Sequence, residues 1–291
     1  MGAQHNHVFF PSALSDLFSI WDRFPDALPC AGGTGFVLEH GSRVPVFPRN
    51  IISLQKMDEL KKISRTERYL EIGAMVKLNQ IINMGKIVPE PLSRCLKRIA
   101  GPQVRNQATI GGNICFPLRR LDASVPMIAL DAQYELRTAE STRWVSASRL
   151  PYLPGQPMLT NHELLTRIRV PLDPWTFTWY RKFRNSDSNE SGGGILFIMK
   201  NEKNILTNIR IVYSGKSILR EKKSETILLG KRLPLSQKDA EAFIDCWLSY
   251  LAALDSDEFY LFPGKDRETQ TELTKTRIMN FIRTMIRHIS D

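Results

Sequence analysis

Long apolar runs, clustered cysteines and a basic leader are all missing from this 291-residue sequence, and each absence removes a class of protein. No stretch approaches the ~20 consecutive apolar residues of a membrane-spanning helix, so no membrane association is expected. Residues Met1 to Phe10 include His5 and His7 but no basic segment followed by an apolar one, so the pattern of a secretory signal is not met. The expectation is an intracellular, cytoplasmic protein. Cys30, Cys95, Cys115 and Cys246 show no C-x-x-C spacing. Zinc and iron–sulfur sites need grouped ligands, so neither is expected, and the thiols read as small apolar residues of the interior. The histidines beyond the first two, His40, His162 and His288, are far apart, which gives no metal site.

The net charge of +10 is dispersed over Lys61-Lys62, Arg119-Arg120, 220–223 and Lys231-Arg232. No long basic block with interleaved aromatics accompanies it, which argues against nucleic acid. A solvated basic surface is the simplest reading, followed by an acidic partner subunit.

What is present is an ordinary globular composition, 42% apolar, and enough chain for two domains at about 150 residues each. Leu14, Leu17, Phe18, Trp21 and Phe24 recur at helical spacing. Short strands are expected at 28–31, 44–47, 51–54, 69–72, 134–137, 143–145 and 165–170, and helices at 76–84, 91–99 and 123–130. Pro171, Asp173 and Pro174 mark a boundary, giving domains 1–172 and 173–291. The second domain has strand patterns at 177–183, 195–199 and 205–213, with a polar, glycine-rich loop expected at 185–194. A helix begins at Ser236 with an S-x-x-D capping pattern. A closing helix carries Met279, Ile282, Met285, Ile286 and Ile289 on a packing stripe. The class is α+β.

Two glycine segments carry the chemistry. The first is Ala31-Gly32-Gly33-Thr34-Gly35. Glycines tolerate positive φ and let backbone N–H groups converge on an anion, and Thr34 adds a hydroxyl. The segment is neither a P-loop, lacking Gly-Lys-Ser/Thr, nor a dinucleotide fingerprint, since no suitable helix is expected after it. Alone it is more often a structural turn than a phosphate loop. The second, Arg105-Asn106-Gln107-Ala108-Thr109-Ile110-Gly111-Gly112-Asn113, ends in a paired-glycine turn. Nine residues later Asp122 offers a carboxylate for a ribose hydroxyl, or caps the helix that follows.

These strings resemble the FAD-binding subunit or middle domain of the molybdenum hydroxylases, the family of xanthine dehydrogenase and of the carbon monoxide dehydrogenase medium subunit. Ala31-Gly32-Gly33-Thr34 resembles the first flavin loop of that family, and 105–114 its second. Asp122, Pro126 and Ala129-Leu130-Asp131-Ala132 continue the likeness, as do Glu163-Leu164-Leu165, Val170-Pro171, Lys182 with Arg184, and Pro263, Asp266, Arg267 and Arg277. Gly35 departs from it, standing where relatives commonly carry Asp, Asn, Ser or Glu, and 115–121 lack the usual A-S-P.

The resemblance implies an FAD-binding domain of two α+β subdomains, of the vanillyl-alcohol-oxidase (PCMH) type, followed by a smaller α+β domain. It implies that Cys30, Ala31, Gly32, Gly33, Thr34, Gly35 and Phe36 wrap the pyrophosphate of FAD, and that Ala108, Thr109, Gly112 and Asn113 make a second contact. It also implies that Asp122 binds polar groups of FAD, that Ile99 lies near the isoalloxazine, and that Leu165 and Lys182 flank the flavin. Electrons from iron–sulfur clusters would pass through FAD to NAD or another acceptor. Because this chain lacks cluster cysteines, a [2Fe-2S] subunit and a molybdopterin subunit are expected as partners. Two rivals remain open: a stand-alone flavin oxidoreductase on the same fold, and an assembly or binding subunit that has lost the flavin.

Overall fold

The computed structural model describes all residues except 1–5, 41–43, 45, 118–120, 151–158, 160–161, 185–190, 260–265 and 291. The described chain divides into two compact units, Met1–Asp173 and Pro174–Asp291.

In the first unit, α1 (Leu14–Arg23) turns Leu17, Phe18 and Trp21 inward, where they meet Ile52, Leu54 and Met57 in one apolar core. The Trp21 indole N–H donates to the Ala27 carbonyl at 2.8 Å. This bond fixes the exit of α1 and the entry to β2 (Leu28–Cys30). With β1 (His7–Phe9) and β3 (Asn50–Ser53) it forms a parallel sheet in the order β1-β3-β2. The crossover from β2 to β3 begins with α2 (Thr34–His40), none of whose residues is buried. The strand expected at 44–47 does not form: Val44, Val46 and Phe47 lie outside any strand and are exposed. Pro45 and Pro48 each remove an amide donor, and a strand pattern so interrupted has little ladder to make.

A five-stranded antiparallel sheet follows, in the order β4-β5-β8-β6-β7. Its strands are β4 (Ile63–Arg65), β5 (Tyr69–Gly73), β6 (Gln133–Arg137), β7 (Thr142–Ser146) and β8 (Leu164–Pro171). Between β5 and β6 lie α3 (Leu78–Asn83), α4 (Glu90–Leu96), α5 (Pro102–Arg105), α6 (Ile110–Ile114) and α7 (Ser124–Ala129). Strand β8 alternates as a one-sided sheet strand must: Ile168 and Val170 are buried while Arg167 and Arg169 stand half-buried. Both arginines donate to Glu71 on β5, at 3.1 Å from Arg167 and at 2.8 and 2.9 Å from Arg169. The Arg169 guanidinium also lies 4.1 Å over the Trp144 ring, a cation–π contact.

The second unit is an antiparallel sheet in the order β12-β11-β10-β9. Its strands are β9 (Phe177–Arg184), β10 (Ser191–Glu202), β11 (Ile205–Ser214) and β12 (Ile218–Leu219). Among the described residues three α-helices belong to this unit: α8 (Lys222–Leu228), α9 (Gln237–Ala252) and α10 (Arg267–Ser290). Met279, Ile282, Met285, Ile286 and Ile289 of α10 join Phe197, Ile209 and Ile211 of the sheet and Phe243 and Trp247 of α9 in one core. Ser236 caps α9, its hydroxyl accepting from the Asp239 amide at 3.2 Å. The loop expected at 185–194 is corrected in part. Ser191–Gly194 belongs to β10, where the register shifts and Gly193 takes φ +99°, so glycines that read as loop form an irregular strand end. Residues 185–190 and Pro263 lie outside the described residues.

Candidate functional site

The two glycine segments meet. A Cβ added to Gly32 would sit 2.0 Å from the Gln107 carbonyl oxygen and 3.3 Å from the Ala108 nitrogen, so only glycine lets the two backbones approach this closely. Gly33 differs: it holds φ +71° with nothing within 4 Å of an added Cβ. The first helical bond of α2 runs from the Val37 N–H to the Gly33 carbonyl at 3.2 Å. The N–H groups of Thr34, Gly35 and Phe36 at its start therefore have no i−4 acceptor within the helix. The sequence suggested that no helix follows this segment. One does, and it escaped notice because it has no buried residue and hence no apolar periodicity.

The paired glycines that end the second segment lie not in a turn but in α6. Thr109 is its N-cap, with Oγ1 accepting from the Gly112 amide at 3.1 Å. Ile110 and Gly111 donate to the carbonyls of Val76 and Ala74, each at 2.9 Å, Asn113 donates to Thr109, and Ala108 donates to Val104 at 2.7 Å. These amides are thus committed within the protein. The glycines here serve close packing: a Cβ on Gly111 would meet Ala74 Cβ at 2.7 Å. Behind the junction, Lys77 Nζ donates to the Gln107 carbonyl at 2.9 Å. Burial, and then the Lys61 charge, lower its pKa.

The junction opens on a cavity of about 240 Å³. Cys30, Ala31, Gly32, Gly33, Thr34, Gly35 and Phe36 line it, together with Thr109, Gly112 and Leu165. Further lining comes from Gly111, Ala74, Met75, Cys115, Phe116 and Glu163. Phe36 is held by its stack on Phe47, with ring centroids 4.8 Å apart. Glu163 is the one charged side chain in the lining among the described residues; it is buried and takes a two-pronged bond from Arg143, Nε to Oε1 at 2.7 Å and Nη2 to Oε2 at 3.1 Å. Burial, then the Glu163 carboxylate, pushes the Cys115 thiol up to about 12, and burial raises Cys30. Neither is a thiolate nucleophile near neutral pH. Cys95 is buried, but Cys30, Cys115 and Cys246 are only partly so, which corrects the view of all four as interior residues.

The other expected residues lie elsewhere. Ala108 and Asn113 belong to the second segment but do not line the cavity; the Asn113 side-chain oxygen accepts from the Ala123 amide at 3.1 Å. Ile99 is buried just past α4, its carbonyl taking a 2.7 Å bond from Arg105. Asp122 is buried directly before Ala123, at the start of α7. Lys182 lies on β9 of the second unit, opposite Gly194. Sequence reasoning missed Phe116, Ala74 and Met75 as cavity walls. Only the position of Phe116 just after the second segment hinted at its place.

Among the described residues no helix is long and apolar enough to cross a membrane, and no group of His, Cys, Asp or Glu is placed to hold a metal. The family model "FAD binding domain in molybdopterin dehydrogenase" matches residues 4–173. The xanthine dehydrogenase FAD-binding subunit of Escherichia coli O157:H7 is 30% identical over 170 residues, 56% of each chain. The carbon monoxide dehydrogenase medium chain of Hydrogenophaga pseudoflava is 29% identical over 189 residues, 63% of this chain and 66% of the relative. The match to the first thus spans little more than half of that relative's length. Two solved structures share the fold. Carbon monoxide dehydrogenase from Hydrogenophaga pseudoflava is 24% identical, with TM-score 0.79 and 96% of each chain covered. Quinoline 2-oxidoreductase from Pseudomonas putida 86 is 18% identical, with TM-score 0.80 and both chains fully covered. With more than half of its length matched by that family model, this chain belongs to the FAD-binding domain family of the molybdopterin dehydrogenases.

Proposed function

We propose that this chain is the electron-transfer flavoprotein subunit of a molybdenum hydroxylase-type dehydrogenase, with the FAD diphosphate seated in the cavity at the junction of the two glycine segments. The observation that carries this is the backbone-to-backbone contact of Gly32 with Gln107 beside a cavity whose wall, among the described residues, holds Glu163 as its one charged side chain. A diphosphate needs converging N–H donors and room for close approach. The amides of Thr34, Gly35 and Phe36, with the Thr34 hydroxyl, supply the donors. Gly33 and Gly112 supply the room. Because the amides of Ala108, Gly112 and Asn113 are committed inside the protein, Thr109 and Gly112 shape the wall, and Ala108 and Asn113 belong to the segment that carries them.

In this reading Cys30 and Ala31 complete the first wall, and Leu165 and Ile99 border the apolar part of the cofactor. Asp122 accepts from its hydroxyls. Bound FAD supplies a carrier that accepts and releases electrons, while the protein sets its position and electronics. The iron–sulfur and molybdopterin centres are assigned to partner chains, a [2Fe-2S] subunit and a molybdopterin subunit, since the cysteines here are isolated. NAD or another carrier is the proposed acceptor and the cytoplasm the proposed compartment. The relatives named for xanthine and carbon monoxide dehydrogenase support the assignment.

The test is reconstitution of the purified chain with FAD, read by flavin absorption after removal of free cofactor. A stoichiometric yellow protein is expected, and a folded chain that retains no FAD overturns the proposal. Mass spectrometry of the native complex then identifies the partner chains.

A further inference from the structure

Gly35 and Phe116 occupy one space between them. A Cβ on Gly35 would lie 2.8 Å from Cδ2 and 3.0 Å from Cε2 of the Phe116 ring. Real Cβ atoms essentially never come so near, so any side chain at 35 must move the ring. The ring is 6% exposed, and Pro117 follows it, which narrows the backbone choices of Phe116. Both residues line the cavity, and so does Pro117. Because the ring is part of the cavity wall, moving it reshapes the space a ligand would occupy.

We propose that Phe116 is a specificity-determining residue of the dinucleotide site, its ring standing where a side chain at position 35 would otherwise reach the ligand. This rests on the assignment of the cavity to the FAD diphosphate. The first segment then receives the diphosphate through backbone N–H groups and the Thr34 hydroxyl, with an aromatic wall at Gly35 instead of a polar contact. A hydroxyl or carboxylate at 35 cannot be added singly. It requires that the ring be removed in the same variant.

The experiment is a double-mutant cycle in the full chain: wild type, G35S, F116A and G35S/F116A. FAD dissociation constants come from flavin fluorescence, and melting temperatures of the FAD-free proteins from circular dichroism. Overpacking predicts that G35S weakens FAD about tenfold or more, since 1.4 kcal/mol is a factor of ten. F116A opens the wall and weakens FAD by only about threefold, and the double variant stays within about threefold of F116A, because contacting residues couple. The same rescue is expected in the melting temperatures, which need no ligand. If G35S costs the same factor with and without Phe116, or costs nothing, the proposal is overturned while FAD binding stands. If the wild type binds no FAD, the functional assignment falls, and this proposal with it. Should G35S alone not fold, G35A and G35A/F116L replace it with the same two outcomes.

Discussion

Gly32 and Gly33 are adjacent and are required for different physical reasons, which separates the consequences of changing them. At Gly32 the obstacle is a backbone carbonyl 2.0 Å from an added Cβ, and a carbonyl tied to Lys77 Nζ has little freedom to retreat. Gly32→Ala is therefore expected to force the two segments apart, at an overpacking cost of about 1–3 kcal/mol, and to lose FAD with the lost junction. Urea denaturation measures the first effect and flavin retention the second; wild-type stability would mean that the contact is not close in solution. At Gly33 space is open and the constraint is φ +71°. Left-handed backbone costs a residue with a side chain roughly 1–2 kcal/mol, and a β-branched residue fits there worst. Gly33→Val is expected to remain folded but to lose FAD, because its side chain enters the cavity that Gly33 lines. Unchanged FAD affinity in the folded variant would remove this turn from the site.

At the scale of elements, what could be read depended on burial and length. The stripes of α1 and α10 were legible because their buried residues recur at helical spacing, and β8 because it alternates. Helix α2 was invisible because nothing in it is buried. The five residues of α6 include two glycines, which disfavour helix; its geometry comes from the Thr109 cap and from bonds to Ala74 and Val76, more than thirty residues earlier in the chain. Strands β1, β4 and β12 have three, three and two residues, too few to show a period. The glycine segments announced themselves by composition, but not their contact, since Gly32 and Gln107 are distant in sequence.

Two element-scale effects can be measured. Ser236→Ala removes the cap of α9 and is expected to cost about 1 kcal/mol by denaturant titration; no change would make the hydroxyl contact inconsequential. The second concerns Glu71. Burial raises its pKa, but hydrogen bonds from Arg169 and Arg167 and their charges outweigh this, so the carboxyl titrates below its ordinary value. A folded pKa below the unfolded value stabilises fully above the ordinary carboxylate range, and that share is lost as pH falls through the folded pKa. Glu71→Gln is expected to lower the melting temperature at pH 7 and to shrink the gap to wild type as the buffer is taken through pH 4 and below. A gap that stays constant with pH would mean that the carboxylate charge contributes nothing.

For the whole molecule, the decisive fact is that every described residue lining the cavity falls between Pro29 and Leu165, inside the first unit. If the diphosphate sits at the glycine junction, the adenosine diphosphate half of FAD depends on the first unit alone. The first unit has its own apolar core, built on α1, β3 and the segment that follows it, and it coincides closely with the stretch matched by the family model. A fragment ending at Asp173 is therefore expected to fold and to bind ADP within about threefold of the full chain, a difference under 1 kcal/mol. Calorimetry of ADP on the two proteins decides it. Loss of ADP binding in a folded fragment would place the diphosphate away from the glycine junction.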